Sequence, residues 1–327
     1  MNSSSQIRAL LLATAIPLFI IYAALFAPEG ARSVSPLLLQ NQDLPRVNRS
    51  RLIRDFSILA HDSMEGRRAG TPGGERARRF LLTEFEDRTF SRVSGERTQE
   101  FPIGSLSGGE GRGINVIGMI EGREFPDQYL VISAHYDHLG VLSRDIYNGA
   151  DDNASGTAAL LAIGGFFVEH RPRHSLLFVA FDAEELGLLG AQAFISDPPV
   201  PLGSLLLNVN LDMVSRSESG ELYAAGTYHY PALTPLVEEV AGRSEVSLLR
   251  GHDSPTLANG DDWTTASDHG PFHEARIPFV YFGVEDHAGY HRPSDTLENV
   301  TLDFYVKAVD TILDFIQVAD QGGDALD

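Results

Sequence analysis

The chain has 327 residues, of which 43% are hydrophobic, so it is long enough for one large α/β domain or two small ones. Its formal net charge of −20 argues against nucleic acid or an anionic membrane surface as the main partner. It contains no cysteine, which excludes disulfides and thiolate zinc sites. Any zinc site in this chain would therefore use His, Asp and Glu.

The N-terminal segment Ala9–Ala27 is apolar and uncharged, and Arg8 precedes it. Its length is close to the roughly 20 residues that a bilayer span needs. Residues 1–27 are therefore expected to be a secretory signal or a membrane anchor, and the poor cleavage-site residues around Ala27 favour the anchor. Residues 28–47 are predicted to be a linker. Either alternative exports the remainder to the periplasm or to the extracytoplasmic face of a membrane.

From residue 48 onwards, helical and strand patterns follow each other. Helical spacing occurs over residues 48–62 and 75–88, and strands are predicted at 98–103 and 114–120. The Gly-rich stretch between these two strands, residues 104–113, lacks the spacing of a dinucleotide-binding fingerprint. It is therefore predicted to be a loop.

The second half of the chain alternates regularly between apolar strands and helices. Such alternation is typical of a mainly parallel sheet covered by helices on both faces. We therefore predict one α/β domain over residues 48–327, with three α/β/α layers and a mainly parallel mixed central sheet. The predicted strands are 129–134, 175–181, 205–211, 221–225 and 278–282, and the predicted helices are 155–169, 190–196, 232–243, 268–274 and 302–319.

Polar side chains follow several of these strands at their carboxyl ends, which is where ligands bind in such sheets. Two histidines and three carboxylates suit two zinc ions when one carboxylate bridges them. In the adjacent pair of glutamates, the side chains diverge, so one can bind metal while the other acts as a general base. The candidate residues at this edge are His135, Asp152, Glu184, Glu185, Asp212, His287 and His291.

Six short motifs occur in order along the chain. They are AHYDH (134–138), GADDNASGT (149–157), AFDAEELGLLG (180–190), NLDM (210–213), SDHGPF (267–272) and YHRPSDTLENV (290–300). Together with the upstream MEGRRAGTPGGERA (64–77), they resemble the di-zinc aminopeptidase family, which includes bacterial leucyl aminopeptidase and aminopeptidase Y. More distant members are glutamate carboxypeptidase and glutaminyl cyclase. The resemblance spans about residues 50–318 and implies the zinc exopeptidase (phosphorylase/hydrolase-like) fold.

The resemblance also implies a role for individual residues. One zinc ion would be bound by His135 and Asp212, the other by Glu185 and His291, and Asp152 would bridge the two. The general base would be Glu184, and Asp137 would orient His135 from outside the ligand set. In one position the chain departs from the family, because Thr264 stands where some members have a tyrosine that stabilises the oxyanion. Tyr290 or the second metal would then have to replace that donor.

Several neighbouring residues have alternative roles. Asp151 is expected to form a cap or another hydrogen bond, and its adjacency to Asp152 leaves an exchange of roles open. The same holds for the two glutamates. Asp268 is expected to cap a helix or to support a ligand, His287 to line the pocket or support a ligand, and Asp295 to form turn and cap hydrogen bonds. His138 is given no role.

The motifs predict a metal-dependent exopeptidase, most consistent with an aminopeptidase that releases N-terminal residues through a zinc-activated water. Peptides would be its substrates and two zinc ions its cofactors. The alternatives are a mono-zinc glutaminyl cyclase, a carboxypeptidase of the glutamate carboxypeptidase type, and an inactive binding module with a peptidase fold. His273-Glu274 lacks the second histidine of HExxH, and Ser155 is not in GxSxG, which argues against a helix-borne zinc site and a serine hydrolase.

Overall fold

The structure of the protein, a computed structural model, describes Leu44 and residues 46–104, 111–255 and 261–322. The predicted signal or anchor segment, residues 1–27, lies outside the described residues, as does most of the predicted linker. Across the part of the chain that is described, no helix is long and apolar enough to cross a membrane.

The helices and strands alternate along the chain as the hydrophobic pattern predicts. The helices are α1 (Arg49–Leu59), α2 (Pro72–Asp87), α3 (Gly156–Glu169), α4 (Leu189–Ser196), α5 (Thr234–Ala241), α6 (His269–Glu274) and α7 (Leu302–Gln321). The strands are β1 (Thr98–Gly104), β2 (Gly111–Ile120), β3 (Phe125–His135), β4 (Gly140–Leu142), β5 (Asp145–Tyr147), β6 (His174–Phe181), β7 (Leu205–Leu211), β8 (Glu221–Ala225), β9 (Ser247–Arg250) and β10 (Phe279–Gly283).

Eight of these strands form one mixed sheet in the order β1-β2-β6-β3-β7-β10-β8-β9. The central strands β6, β3, β7 and β10 pair in parallel, and so do β8 and β9 at one edge. The pairs β1–β2, β2–β6 and β8–β10 are antiparallel. The mainly parallel mixed sheet predicted from the sequence is confirmed. Because the central strands run in one direction, their carboxyl ends all reach the same edge of the sheet.

The central strand β6 shows why both faces of the sheet are covered. All eight of its residues are buried, and alternate side chains enter two separate apolar clusters. Leu176 and Phe178 pack in the cluster that contains α1, α2, α3, α5 and α7. Phe181 packs against Phe194 of α4 and Phe272 of α6 on the opposite face. The three-layer arrangement is therefore held together by strand side chains that alternate between two cores.

Three features differ from the sequence-based expectations. Residues 111–113, expected in a loop, form the start of β2, and the hairpin β4–β5 and the edge strand β9 were not anticipated. The strands β4, β5 and β9 are only three or four residues long, which is too short for a clear periodic signal. Val47, at the end of the predicted linker, is buried and donates its backbone N–H to Asp310.

Candidate metal centre

His135 is the last residue of β3 and is almost completely buried. Its backbone carbonyl accepts a hydrogen bond from the Thr157 hydroxyl (2.7 Å), which fixes the strand end against α3. Its Nε2 lies 3.2 Å from Asp212 Oδ1 and 3.4 Å from Asp152 Oδ1. These three residues, which are far apart in sequence, therefore meet at the carboxyl edge of the sheet as the strand-end argument predicts.

Asp152 lies in a turn of π-helix, Ala150–Ser155, directly before α3. Its Oδ1 faces His135, while its Oδ2 lies 3.1 Å from His291 Nε2 and 3.5 Å from His138 Nδ1. The two oxygens of one carboxylate thus point to separate groups of imidazoles. This is the arrangement that a bridging carboxylate requires.

Asp151 has a different environment and is not directed to the same groups. Its Oδ1 accepts hydrogen bonds from the Ser215 backbone N–H (2.7 Å) and hydroxyl (2.8 Å), and its Oδ2 lies 3.1 Å from His287 Nε2. The structure therefore gives Asp151 and His287 the supporting positions predicted for them. Asp152, by contrast, faces His135 through Oδ1 and His291 through Oδ2.

Glu184 and Glu185 follow β6 in a short 3-10 turn, Glu184–Leu186. Ala183 precedes the turn with a positive φ of 60°, an unusual conformation that redirects the chain at the strand end. The Glu184 backbone N–H donates to Asp137 Oδ1 (3.0 Å). Glu185 lies 2.7 Å from His138 Nδ1 through Oε1 and 3.3 Å from His291 Nε2 through Oε2. The Glu184 backbone is thus held by Asp137, whereas the Glu185 side chain contacts His138 and His291.

Two sets of ligand atoms result from this arrangement, and within each set all atoms lie within 4.8 Å of one another. The first set is formed by His135, Glu184 and Asp212, and the second by His138, Asp152 and Glu185. His291 joins the second set through its contacts with Asp152 and Glu185. The sequence argument anticipated all of these residues except His138.

The charges of the site are strongly coupled. Burial raises the pKa of Asp152, but His138, His135 and His291 outweigh it, so that the net shift is well below the usual range. Contacts with Asp152 and Glu185 raise the pKa of His291 to about 10. The raised pKa of His291 favours a positively charged imidazole beside these carboxylates, and a bound metal ion would supply that charge instead.

Burial has the opposite net effect on Glu184. It raises the pKa of this carboxyl well above its ordinary value, and Asp212 and Asp268 add to the rise while His135 opposes it. A raised pKa favours uptake of a proton by this carboxyl group, which is one property that a general base requires.

Asp137 and Asp268 differ in part from their predicted roles. His135 Nδ1 lies nearer to the Asp137 carbonyl oxygen (3.1 Å) than to its carboxylate (3.6 Å), so Asp137 supports the imidazole mainly through its backbone. Its carboxylate instead fixes the Glu184 backbone. Asp268 forms no side-chain cap on α6, and burial raises its pKa well above the usual value. Capping, one of its two predicted roles, is therefore wrong.

Thr264 stands where some members of the family have a tyrosine that stabilises the oxyanion, and the structure shows what its hydroxyl contacts instead. The Thr264 hydroxyl lies 2.9 Å from His229 Nε2 and donates to Asp262 Oδ1 (2.5 Å), so it is engaged away from the ligand sets. Tyr290 stacks on the imidazole of His291, with 4.1 Å between the ring centroids. The aromatic ring of Tyr290 therefore remains next to the site, as the replacement donor would have to be.

Two supporting residues carried no clear sequence signal. Asp295 accepts hydrogen bonds from the backbone N–H groups of Asp151 (2.9 Å) and Asp152 (3.1 Å), across 144 and 143 residues of chain. Arg67 is completely buried and donates to backbone carbonyls on both sides of the site. Asp295 was expected to form local turn bonds, and the sequence could not show that its partners lie so far away.

A third group with metal-ligand chemistry, formed by His252, Asp261 and Glu285, lies elsewhere. Asp261 contacts His252 Nδ1 (3.0 Å) and Glu285 contacts Nε2 (3.1 Å), so the two carboxylates lie on opposite sides of one ring. Both carboxylates are about half exposed. The ligand atoms of this third group also lie within 4.8 Å of one another, but two of its three residues are exposed, unlike those of the two sets at the sheet edge.

Buried polar atoms without a hydrogen-bond partner are concentrated at the sheet edge. Each would cost about 1–3 kcal/mol if it stayed unsatisfied. A cation bound among imidazole nitrogens and carboxylate oxygens would satisfy several of them, and this donor set suits zinc. The residues present therefore fit such an ion. Among the described residues these atoms include Asp137 Oδ2, His138 Nδ1 and Nε2, Glu185 Oε1, and Asp268 Oδ1 and Oδ2.

Residues 115–316, well over half of the chain, match the family described as Peptidase family M28. Among curated proteins, aminopeptidase YwaD of Bacillus subtilis is 30% identical over 213 residues, which are 61% of this chain and 43% of YwaD. The chain thus spans less than half the length of this relative. Residues 115–316, which match the family, contain every residue of the two ligand sets.

Solved structures share the fold. BSAP, a zinc aminopeptidase from Bacillus subtilis, superposes with a TM-score of 0.67 at 18% identity, covering 84% of this chain and 96% of BSAP. Fimbriiglobus ruber glutaminyl cyclase gives a TM-score of 0.68 at 21% identity, covering 85% of this chain and 97% of the cyclase. At these identities the likeness concerns the fold, and it confirms the predicted zinc exopeptidase architecture.

Proposed function

Because the chain belongs to peptidase family M28, we propose that it is a zinc-dependent exopeptidase that removes N-terminal residues from peptides. The observation that carries this proposal is the position of Asp152, whose two carboxylate oxygens face separate ligand groups. Such an arrangement suits two metal ions that share one carboxylate. The zinc aminopeptidases among the relatives support the choice of reaction.

Each proposed ion has its own protein ligands. His135 and Asp212 would hold the first ion, Glu185 and His291 the second, and Asp152 would bridge them. Zinc bound there would polarise the scissile carbonyl and lower the pKa of a water molecule. Glu184 belongs to the first group by distance but has a raised pKa and is left to act on protons rather than on metal.

Glu184 would act as the general base. It takes a proton from the attacking water and returns it to the nitrogen of the departing peptide, so that the peptide bond breaks without a free amide anion. Asp137 holds the Glu184 backbone through a hydrogen bond to its N–H, which fixes the position of the carboxylate relative to His135. A rigid base of this kind needs little reorganisation in the transition state.

We also propose that residues 1–27 export the protein and that the peptidase acts outside the cytoplasm. The apolar, uncharged character of Ala9–Ala27 supports this location. Fractionation of cells that express the full chain would detect the protein in the membrane or periplasm. Recovery of the protein in the cytoplasmic fraction would contradict this part of the proposal.

The Glu184→Gln variant tests the assignment of the base. We expect kcat for an aminoacyl nitroanilide to fall by about 10²–10⁴-fold, because a general base contributes on that order. Zinc content should remain at the wild-type level, since the metal ligands are retained. The exposed Glu96 provides a matched control, and Glu96→Gln should behave as wild type. Near-normal turnover in Glu184→Gln would assign the proton transfer to another group.

A substrate panel tests the reaction class. Peptides with a free amino terminus and a blocked carboxyl terminus should be hydrolysed, whereas amino-blocked peptides should not. The reverse preference would identify a carboxypeptidase, and cyclisation of glutaminyl peptides with one bound zinc would identify a cyclase. Purified protein that binds no zinc and hydrolyses none of these peptides would contradict the proposed function as a whole.

A further inference from the structure

We propose that His138 is a direct ligand of the second metal ion, in addition to Asp152, Glu185 and His291. This inference rests on the proposed function, because it assumes that an ion occupies the second group. His138 lies three residues after His135, beyond the end of β3, and its side chain is completely inaccessible to solvent. It is the one member of the two ligand sets to which no role could be assigned from the sequence.

The contacts of His138 favour metal binding over an ordinary hydrogen bond. Its Nδ1 lies only 2.7 Å from Glu185 Oε1, yet neither atom has a correctly directed hydrogen-bond partner. The same nitrogen lies 3.5 Å from Asp152 Oδ2. With Nδ1 unprotonated, its lone pair would repel this carboxylate oxygen unless both atoms bind the same cation. A cation in front of both atoms would remove that repulsion.

The environment of His138 leaves few other ways to satisfy its ring. Its Nε2 also has no hydrogen-bond partner, and a buried imidazole with two unpaired nitrogens is costly. Gly149 packs against the ring in a left-handed conformation (φ 53°), and a Cβ atom there would lie 2.5 Å from His138 Cγ and Cδ2. The absence of a side chain at Gly149 therefore leaves the space that the buried His138 ring occupies.

The position of His291 adds to the argument. Its side chain is 39% exposed, and its ring stands edge-on to that of His138, with 5.7 Å between the centroids. Nε2 of His291 and Nδ1 of His138 approach the same two carboxylates, Asp152 and Glu185. With both imidazoles bound, the second ion has four protein ligands, which is the number found in closed zinc sites. The first ion, held by His135, Asp152 and Asp212, would keep an open position next to Glu184.

The direct test is a crystal structure of the zinc-loaded wild-type protein. We expect a zinc ion with His138 Nδ1 at about 2.0–2.1 Å, the usual zinc–imidazole distance. A second zinc ion that is bound only by Asp152, Glu185 and His291, with His138 more than about 3 Å away, would overturn the inference. This measurement does not depend on whether any variant folds.

Zinc titration of metal-free variants gives a second readout. We expect His138→Ala and His138→Asn to lose more than about 100-fold in affinity at one of two sites, because removal of a residue outside the ligand set costs about 10–100-fold. His170→Asn is the matched control, since His170 is exposed and contacts the Phe166 carbonyl oxygen, and it should keep the wild-type affinity at both sites. Restoration of affinity by Asn, which can still donate to Glu185, would show a positioning role and overturn direct binding.

The outcomes separate this inference from the proposed function. If the wild-type protein binds two zinc ions and hydrolyses peptides while His138 stays unbound, only the inference on His138 fails. If the wild-type protein binds no zinc at all, the proposed function fails first. Loss of one zinc ion in His138→Ala, with the other retained and with unchanged circular dichroism, would support both.

Discussion

His269 illustrates how a single buried residue can link stability to pH. Its imidazole is fully buried and its Nε2 lies 2.7 Å from the Trp263 carbonyl oxygen, so the ring is a neutral donor. Burial lowers the pKa of His269 to about 3, while the ordinary value is 6.5. Below pH 6.5 the unfolded chain therefore binds a proton that the folded chain does not bind, and the free energy of unfolding decreases as pH falls.

The His269→Gln variant tests this linkage. Between pH 8 and pH 5, protonation of this imidazole in the unfolded chain should lower the wild-type free energy of unfolding by about 2 kcal/mol. This value follows because pH 5 lies 1.5 pH units below the ordinary pKa of 6.5 and each unit corresponds to about 1.4 kcal/mol. Gln can still donate to the Trp263 carbonyl but does not titrate. Urea unfolding of the metal-free proteins at pH 8 and pH 5 measures this difference. The free energy of unfolding should decrease by about 2 kcal/mol less in His269→Gln than in the wild-type protein. Equal drops in the two proteins would contradict the lowered pKa.

At the scale of single residues, the sequence pointed to most of the candidate ligands that lie together in the structure, but not to His138. His135, Glu185 and Asp212 were predictable because they lie at or after the ends of apolar strands, which have a clear periodic signal. Asp152 was predictable because it stands before a predicted helix at the same edge of the sheet. His138 lies in the same motif, yet its burial depends on the conformation of Gly149, which lies eleven residues later in the chain. Contacts of this kind depend on tertiary packing, and no local pattern reveals them.

At the scale of elements, one buried arginine joins the segments that present the ligands. Arg67 donates to the carbonyl oxygens of Tyr136 (2.8 Å) and Leu59 (2.8 Å), and to those of Asn148 (2.6 Å) and Gly149 (2.8 Å). It thereby connects the end of α1, the residues after β3 and the approach to the π-helical turn. Burial lowers its pKa to about 10, so the guanidinium remains charged at neutral pH.

The Arg67→Lys variant tests this connection. Lysine has three donors on one atom and cannot reproduce the planar fork, so at least one buried carbonyl would lose its partner. We expect the free energy of unfolding, measured with urea in the presence of chelator, to fall by about 1–3 kcal/mol for each carbonyl left without a partner. Zinc affinity should fall by about 10–100-fold, as for other residues that position ligands.

Arg68 supplies the control for that experiment. Its guanidinium makes a single long hydrogen bond, 3.2 Å to the Leu139 carbonyl oxygen, so Arg68→Lys should cost less than about 1 kcal/mol. If the two variants had the same stability and zinc affinity, the backbone of the site would not depend on Arg67. The sequence does not distinguish the two adjacent arginines of MEGRRAGT, although in the structure Arg67 is buried and Arg68 is partly exposed.

At the scale of the whole molecule, the core and the metal centre are built from different parts of the same strands. The core consists of strand interiors and helices on both faces, whereas the candidate ligands lie at the end of β3 and in the chain segments that follow β3, β5, β6, β7 and β10. The sequence could predict the core because it depends on periodic burial. The relative positions of the loops depend on pairs such as Asp295 with the Asp151 and Asp152 amides, which hydrophobic periodicity does not encode.

This separation predicts that metal removal loosens the protein without unfolding it. The apolar core does not require the ligands, so the far-ultraviolet circular dichroism of chelator-treated protein should remain that of the native state. Bound zinc at about 100 times its Kd adds about 2.7 kcal/mol, so chelation should lower Tm by roughly 5–10 °C for a domain of this size. Differential scanning calorimetry with and without chelator measures this shift.

The Asp152→Asn variant makes this expectation specific to the metal centre. Because Asp152 is directed to both ligand groups, its replacement should weaken both ions, and the chelator should then change Tm by much less than in the wild-type protein. A full wild-type shift in Asp152→Asn would indicate that the stabilising metal binds elsewhere, for example at His252, Asp261 and Glu285. Loss of helical dichroism on chelation would show that the core depends on the metal, contrary to the separation of core and site.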